Sequence, residues 1–198
     1  FGTENNPNTL LKDIDPTIKV YNNSITQLNE TFNYSIADTV FMALPHGISH
    51  KYVKSFYDKI QIIDLSADFR LDDIDIYEKN YNEKHSVPNL LNEFQYGLVE
   101  IYRNFLINKK NIAVPGCYPT SVLIPLIPLL QNEIIDSKNI IIDSKSGYSG
   151  AGKKFDLKNI QNADDYNFYN YNTNTHRHIC EIKQELMKHS KSSDVLFS

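Results

Sequence analysis

This sequence has no long run of residues of one kind. No stretch of Lys or Arg occurs, and 20 basic against 24 acidic residues give a formal net charge of −4. The charge pattern that nucleic-acid binding and anionic membranes require is therefore missing. The longest apolar runs, such as residues 122–130, are too short to span a bilayer, and the start of the sequence lacks a signal-peptide pattern. We expect a cytoplasmic protein that binds neither nucleic acid nor membrane.

Cysteine is scarce as well. Cys117 and Cys180 are the two cysteines among 198 residues, which favours reduced thiols over a disulfide framework. The hydrophobic fraction of 41% is typical of a globular protein, and the length allows one domain or two small ones. Because the sequence begins at Phe1 without an initiator Met, we expect a fragment of a longer protein.

Short apolar runs alternate with helical stretches in the first part of the chain. Residues 39–44 predict a buried strand that leads into Pro45-His46-Gly47, a helix follows to about Tyr57, and residues 60–65 predict a second buried strand. This alternation is typical of a doubly wound parallel sheet, so we predict an α/β fold. In contrast, residues 72–98 show no clean period and predict irregular structure.

The rest of the chain alternates in the same way. Residues 111–114 predict a strand, after which a helix carries Pro119 in its first turn and is expected to kink or restart at Pro125 and Pro128. Further strands are predicted at 139–142 and 194–197, with a short helix at 179–187. A new unit beginning near Lys138 predicts two domains, residues 1–137 and 138–198.

The turn around Cys117 is the strongest chemical signal. The sequence VPGCYPTS at 114–121 places a thiol where a strand turns into a helix. Unpaired amides at a helix start favour a thiolate and can bind an oxyanion. A small buried cysteine is the alternative, but Pro and Gly before the thiol and Pro119 after it favour a nucleophile.

A thiol nucleophile needs a partner for proton transfer. His176, Arg177 and His178, with Glu181 shortly after, provide an acid/base, a fork for a carboxylate and a group that orients an imidazole. A solvent-exposed polar segment is the alternative interpretation. Zinc is disfavoured because no second Cys/His pair lies at ligand spacing, so we expect no metal site.

Residues 146–154 form a Gly-rich loop after a predicted strand. Gly147, four residues and then Gly152-Lys153 nearly match the P-loop, but Lys154 stands where that motif has Ser or Thr for magnesium. The missing hydroxyl argues against an NTPase. The loop either brings amides close to a phosphate or dinucleotide or is a simple turn.

Two smaller candidates lie where predicted strands end. Pro45-His46-Gly47 occupies the place where doubly wound sheets bind ligands, although a turn needs no ligand. The segment DLSADFR at 64–70 carries two carboxylates and Arg70, which either position a substrate or pair with each other.

Six motifs together resemble one enzyme family. They are ALPHG at 43–47, DLSADFRL at 64–71, YGL at 96–98, PGCYPT at 115–120, SGYSGAGKK at 146–154, and HRH at 176–178 with Glu181-Ile182. In this order they resemble the N-acetyl-γ-glutamyl-phosphate reductases of arginine biosynthesis, from about Leu10 to the C-terminus. This sequence departs from the family pattern at Val99, at Val114 and at Ile179-Cys180.

The resemblance implies NADPH-dependent reduction of N-acetyl-glutamyl 5-phosphate to the 5-semialdehyde with release of phosphate. Cys117 would form a thioester, and His176 or His178 would shuttle the proton. Arg177 and Glu181 would hold the substrate or the catalytic geometry. The free and the carrier-protein-bound forms of the substrate stay open alternatives.

The resemblance also implies the fold and the cofactor site. A Rossmann-type NADP-binding domain, lacking its N-terminal Gly-rich loop, would precede part of an α+β catalytic and dimerisation domain, and the full-length protein would form a homo-oligomer. NADP(H) would lie against two groups of residues: Pro45, His46 and Gly47, and Ser149, Gly150, Ala151 and Gly152. Two other functions remain open: a Cys/His acyl transferase or hydrolase without nicotinamide, and a phosphate- or nucleotide-binding module.

Overall fold

The computed structural model describes residues 8–18, 24–25, 33, 36–148, 150, 170–191 and 194–198. The chain divides into two compact units, residues 1–38 and 39–198. The described part of the first unit holds the short helix α1 (Leu11–Ile14) and an antiparallel bridge between Leu10 and Ser24. The second unit carries all the described candidate site residues.

A four-stranded parallel sheet organises the first part of the second unit. Its strands are β1 (Thr39–Met42), β2 (Gln61–Asp64), β3 (Gln95–Tyr96) and β4 (Asn111–Ala113), in the spatial order β1-β2-β4-β3. Helices α2 (Ser49–Phe56), α3 (Ile74–Tyr81) and α4 (Val99–Leu106) connect them, with a 3₁₀ helix at Pro88–Glu93. The predicted α/β fold is confirmed. Because the strands are parallel, their carboxyl ends share one edge of the sheet.

The later part of the unit consists of α5 (Cys117–Gln131), β5 (Ile140–Ile142), α6 (His178–Met187) and β6 (Val195–Phe197). Strands β5 and β6 pair in parallel. Helices α5 and α6 join one apolar core through Leu123, Ile127, Ile182 and Leu186, which are fully buried. This packing fixes the start of α6 relative to the start of α5.

One prediction about secondary structure is wrong and another is wrong in part. Residues 72–98 are not irregular, because they hold α3, the 3₁₀ helix and β3. Helix α3 is short, and Tyr77 is its one buried residue, so its sequence shows little periodicity. The Asp73 side chain caps it by accepting from the amides of Asp75 and Ile76.

The helix expected to kink or restart at its internal prolines does not restart, while the kink stays a prediction. Helix α5 runs through Pro125 and Pro128 to Gln131 as one element. Both prolines face solvent, while the opposite face is buried in the core, and this burial offsets the hydrogen bonds that proline removes.

The predicted strands at 39–44, 60–65, 111–114, 139–142 and 194–197 and the predicted helix at 179–187 are confirmed with slightly different bounds. The domain boundary near residue 138 stays a prediction. None of the helices in the described ranges is long and apolar enough to cross a membrane.

Candidate active site

Cys117 is the first residue of α5 and its side chain is exposed. Gly116 precedes it as the N-cap, with extended backbone angles of φ −66° and ψ 160°. The carbonyl of Gly116 accepts from the amide of Thr120 at 2.9 Å and from its hydroxyl at 2.8 Å, which closes the first helical turn. The sulfur therefore lies at the positive end of a 15-residue helix.

Glu181 of α6 connects this cysteine turn to the far end of the chain. The side chain is 1% exposed. Its Oε1 accepts from the amide of Gly116 at 2.9 Å and from the hydroxyl of Tyr96 at 2.7 Å, and its Oε2 lies 3.5 Å from the guanidinium of Arg70. Burial raises the pKa of Glu181, an effect that Arg70 and the two hydrogen bonds oppose. Both carboxylate oxygens are thus engaged inside the protein.

Arg70 ties the sheet edge to the same turn. Its guanidinium is 5% exposed. Nε donates to the carbonyl of Val114 at 2.6 Å, and NH2 donates to the carbonyl of Leu65 at 2.9 Å. Leu65 follows β2 and Val114 follows β4, so one side chain holds the ends of two neighbouring strands.

His178 lies directly against Gly116. A Cβ placed on Gly116 would lie 2.9 Å from Cε1 and 3.0 Å from Nε2 of the imidazole. Burial, with help from His176 and Arg70, lowers the pKa of His178 to about 3. Its Nδ1 is buried and has no hydrogen-bond partner among the described residues. A neutral imidazole therefore sits beside the residue that precedes Cys117.

His176 is half-buried and occupies a different position. Its Nδ1 accepts from the amide of His178 at 3.1 Å, so the neutral ring carries its proton on Nε2. Its ring centroid lies 4.7 Å from that of His178 and 5.1 Å from that of Tyr118. Burial lowers the pKa of His176 as well. The structure brings both predicted histidines to the start of α5.

A cleft of about 810 Å³ opens beside these residues. His176, Arg177 and Tyr118 form part of its wall, and the hydroxyls of Tyr118 and Tyr171 are 2.7 Å apart. The Arg177 side chain is exposed, and no carboxylate of the described residues forms an ion pair with it. A cation is thus available at the cleft for an anionic ligand.

Pro45, His46 and Gly47 lie at the end of β1. Gly47 has φ +76°, which favours glycine, and its amide donates to Asp68 Oδ1 at 2.8 Å. Asp68 Oδ2 also accepts from the amide of His50 at 3.0 Å, so these amides are already occupied. His46 accepts from the amide of Ala67 at 3.0 Å through Nδ1, which leaves Nε2–H as a donor.

The sheet edge offers ring surfaces that a dinucleotide could pack against, but two of its backbone amides are already engaged within the protein. It offers the rings of Pro45 and His46, and burial lowers the pKa of His46 to about 4, so that imidazole is neutral. The amides of Gly47 and His50, near the start of α2, are not available for a phosphate. Of the four residues predicted to form the second wall, Gly150 is described, and its amide donates to the carbonyl of Gly147 at 2.9 Å. Ser149, Ala151, Gly152 and the nearby Lys153 and Lys154 lie outside the described residues.

Two family models match the chain. Residues 1–109 match the semialdehyde dehydrogenase NAD binding domain, and residues 117–198 match the semialdehyde dehydrogenase dimerisation domain. The chain belongs to the semialdehyde dehydrogenase family.

Three curated relatives of this semialdehyde dehydrogenase family member share one name. The chain is 52% identical over 151 residues to an N-acetyl-gamma-glutamyl-phosphate reductase of Caldicellulosiruptor bescii, covering 75% of the chain and 43% of the relative. Identity is 44% over 168 residues to the protein of that name from Desulforamulus reducens, covering 84% and 49%. It is 42% over 160 residues to a probable chloroplastic one of Oryza sativa subsp. japonica, covering 81% and 39%. The chain spans less than half the length of these relatives.

Some site residues of this semialdehyde dehydrogenase family member carry no sequence signal of their own. Tyr96 belongs to the YGL motif, but that motif does not predict the hydrogen bond from its hydroxyl to Glu181. The two carboxylates of DLSADFR do not pair with Arg70 in the described structure. Asp64 accepts from the hydroxyls of Ser49 at 2.6 Å and Ser66 at 2.7 Å, and so holds the loop after β2.

Proposed function

We propose that this protein is an NADPH-dependent reductase of N-acetyl-γ-glutamyl phosphate and that Cys117 is its nucleophile. One observation carries the proposal: an exposed thiol begins α5, while the ring of His178 and the carboxylate of Glu181 are fixed to the residue before it. The name shared by the relatives supports the choice of substrate.

In the first step, the sulfur of Cys117 attacks the acyl carbonyl. The carbon–oxygen bond to phosphate breaks, phosphate leaves with the electron pair, and a thioester remains on the protein. Because Glu181 occupies the amide of Gly116, we assign the amides of Cys117 and Tyr118 as donors to the developing oxyanion.

We assign the transfer of the Cys117 thiol proton to His178, whose imidazole lies against the cysteine turn. The ring of His178 lies against Gly116 and burial keeps it neutral, which is the form that can accept a proton, while His176 faces the cleft with a proton on Nε2. A bound nicotinamide cofactor supplies the hydride that reduces the thioester carbonyl. His178 returns the thiol proton to the oxyanion that this reduction leaves. It takes that proton back from the hydroxyl as the carbon–sulfur bond breaks, the sulfur regains its electron pair and the semialdehyde leaves, and the proton then returns to the sulfur.

The remaining assignments follow from position. Pro45, His46 and Gly47 form one wall of the cofactor site, and residues 149–152 are proposed for the other by resemblance. Arg177, exposed at the cleft, binds an anionic group of the substrate. Glu181, buried with both oxygens engaged, holds the catalytic geometry and does not reach the substrate. The match to a dimerisation domain supports self-association, and a cytoplasmic location stays a prediction.

The Cys117→Ser variant tests the proposal. In the full-length protein, we expect phosphate-dependent oxidation of the semialdehyde by NADP⁺ to fall at least ~10³-fold, since serine is a far weaker nucleophile without a strong base. Cys180→Ser is the control, because that thiol donates to the carbonyl of Arg177 at 2.9 Å and has no assigned role. Retention of most turnover by Cys117→Ser, or acyl-phosphate hydrolysis with no NADP(H) requirement, would contradict the proposal.

A further inference from the structure

Tyr81, the last residue of α3, lies beside the proposed site and has no role in the mechanism so far. Its ring stacks on that of Tyr77, with centroids 5.1 Å apart and planes 19° from parallel. Tyr77 is fully buried, and its hydroxyl donates to Asp68 Oδ1 at 2.8 Å. Stacking on the buried ring of Tyr77 therefore fixes the orientation of the Tyr81 ring.

Arg177 and His46 lie on the Tyr81 ring. The guanidinium carbon of Arg177 is 5.8 Å from the ring centroid, within the range of a cation–π contact. The ring of His46 lies 5.5 Å from that of Tyr81. Because Arg177 has no carboxylate partner in the described part of the chain, the aromatic face is the contact that orients its cation.

The hydroxyl of Tyr81 does not explain this placement. It is buried and has no hydrogen-bond partner among the residues the structure describes. Burial and the nearby carboxylate of Glu181 raise the pKa of Tyr81, so the phenol stays protonated. The ring, and not the oxygen, makes the contacts with Arg177 and His46.

We propose that Tyr81 is a positioning residue whose aromatic face fixes the Arg177 guanidinium for an oxyanion of the substrate. An arginine on an exposed segment has many rotamers, and a contact that restricts them before binding lowers the entropy lost when the anion binds. This inference rests on the proposed function, in which Arg177 binds an anionic group of the substrate.

A double-mutant cycle tests the inference. We expect Tyr81→Leu to raise KM for the acyl phosphate ~10-fold while kcat changes less than about 2-fold, the size of a cation–π contact at a partly buried site. In an Arg177→Met background, the same change should raise KM no further, because Tyr81 acts through Arg177. Tyr81→Phe, which keeps the ring, should leave KM near that of the unmodified protein.

Three outcomes would overturn the inference. A Tyr81→Leu effect of equal size with and without Arg177 would show a general structural role. A higher KM for Tyr81→Phe would show that the hydroxyl binds substrate, and an unchanged KM for Tyr81→Leu would show that the contact has no effect. If thermal denaturation shows that the Leu variant does not fold, Tyr81→Met keeps the bulk without the aromatic face and replaces it in the cycle.

A second measurement separates this inference from the proposed function. Inorganic phosphate and N-acetylglutamate are tested one at a time for slowing the alkylation of Cys117 by iodoacetamide, which needs no hydride transfer. If Tyr81→Leu weakens this protection ~10-fold, the inference is supported even if no variant oxidises the semialdehyde. The anion that protects Cys117 shows whether Arg177 binds a phosphate or a carboxylate. Full turnover with protection unchanged by Tyr81→Leu would overturn the inference alone.

Discussion

Gly116 is constrained by its neighbours and not by its own backbone. Its φ of −66° and ψ of 160° suit any residue. A Cβ at this position, however, would lie about 3 Å from His178 and 3.1 Å from a guanidinium nitrogen of Arg70. The absence of a side chain is what allows an imidazole and a cation to approach the cysteine turn.

Gly116→Ala should therefore damage the fold and the site together. We expect the free energy of unfolding in urea to fall by about 1–3 kcal/mol, since the added methyl group displaces buried neighbours. Alkylation of Cys117 should become slower, because His178 can no longer lie where the proposed mechanism has it accept the thiol proton. Mass spectrometry of the modified peptide measures that rate.

Gly97→Ala is the matched control for this experiment. A Cβ on Gly97 would lie 2.7 Å from Cγ2 of Ile112, so a comparable loss of stability is expected. The alkylation rate of Cys117 should stay unchanged, since the nearest atoms to a Cβ on Gly97 belong to Ile112 and Ala113 and not to His178. Equal slowing by both variants would mean that loss of stability alone explains the effect.

At the scale of single elements, α5 accommodates two prolines that weaken its hydrogen bonding. Pro125 and Pro128 have no amide hydrogen, so two carbonyls one turn earlier lose their helical donors. Both prolines are exposed, and neither belongs to the buried core cluster. Helix α5 therefore persists because of its buried face and in spite of these residues.

Pro125→Ala should stabilise the protein. Alanine restores one intrahelical hydrogen bond and is the better helix former, and the gain exceeds the entropy that proline removes from the unfolded chain. We expect the free energy of unfolding to rise by about 1–2 kcal/mol in urea titrations. Pro88→Ala is the control, because Pro88 begins the 3₁₀ helix, where an amide is not needed, and it should give no gain. A loss of stability in Pro125→Ala would show that the ring itself is needed.

The sequence predicts helix α6 but not the contacts of its buried carboxylates. Its amphipathic spacing predicts the helix, and VPGCYPTS predicts a thiol at a helix start. Glu181 and Glu185 are charged residues one turn apart, a pattern that normally faces solvent, yet both are buried. Lys188 pairs locally with Glu185, but each carboxylate also has a partner from a distant element. The hydroxyl of Tyr96 donates to Glu181, and that of Tyr102 donates to Glu185 at 2.6 Å. No local pattern encodes such pairs, because each depends on the tertiary arrangement.

At the scale of the whole molecule, the histidines share one electrostatic property. The chain has six, and burial lowers the pKa of each below its ordinary value of 6.5. His50 and His85 form a buried pair with ring centroids 4.6 Å apart, and the pKa of His85 falls to about 4. The folded protein therefore keeps its imidazoles neutral where the unfolded chain protonates them.

The fold should consequently lose stability in mild acid. A lowered folded-state pKa contributes stability that is full above pH 6.5 and is lost as the pH falls toward 4, because the unfolded state binds more protons. Asp64 and Glu181, whose pKa values are raised by burial, oppose this trend, but they are two groups against six. Urea titrations at pH 7.5, 6, 5 and 4.5 measure the slope.

His85→Gln tests the origin of this slope. Removing one titrating imidazole should make the fall in unfolding free energy between pH 6.5 and 4.5 shallower. A stability that is flat over this range in the unmodified protein, or an unchanged slope in the variant, would contradict the assignment.

The hydrogen bond between Gly116 and Glu181 also has a consequence for biosynthesis. The two residues are 65 positions apart, so the turn that carries Cys117 has left the ribosome well before Glu181 is translated. During that interval the nascent chain exposes a thiol whose surroundings are unfinished. Chemical reactivity at Cys117 should therefore develop late in translation, when the segment that carries His178 and Glu181 folds back onto the turn.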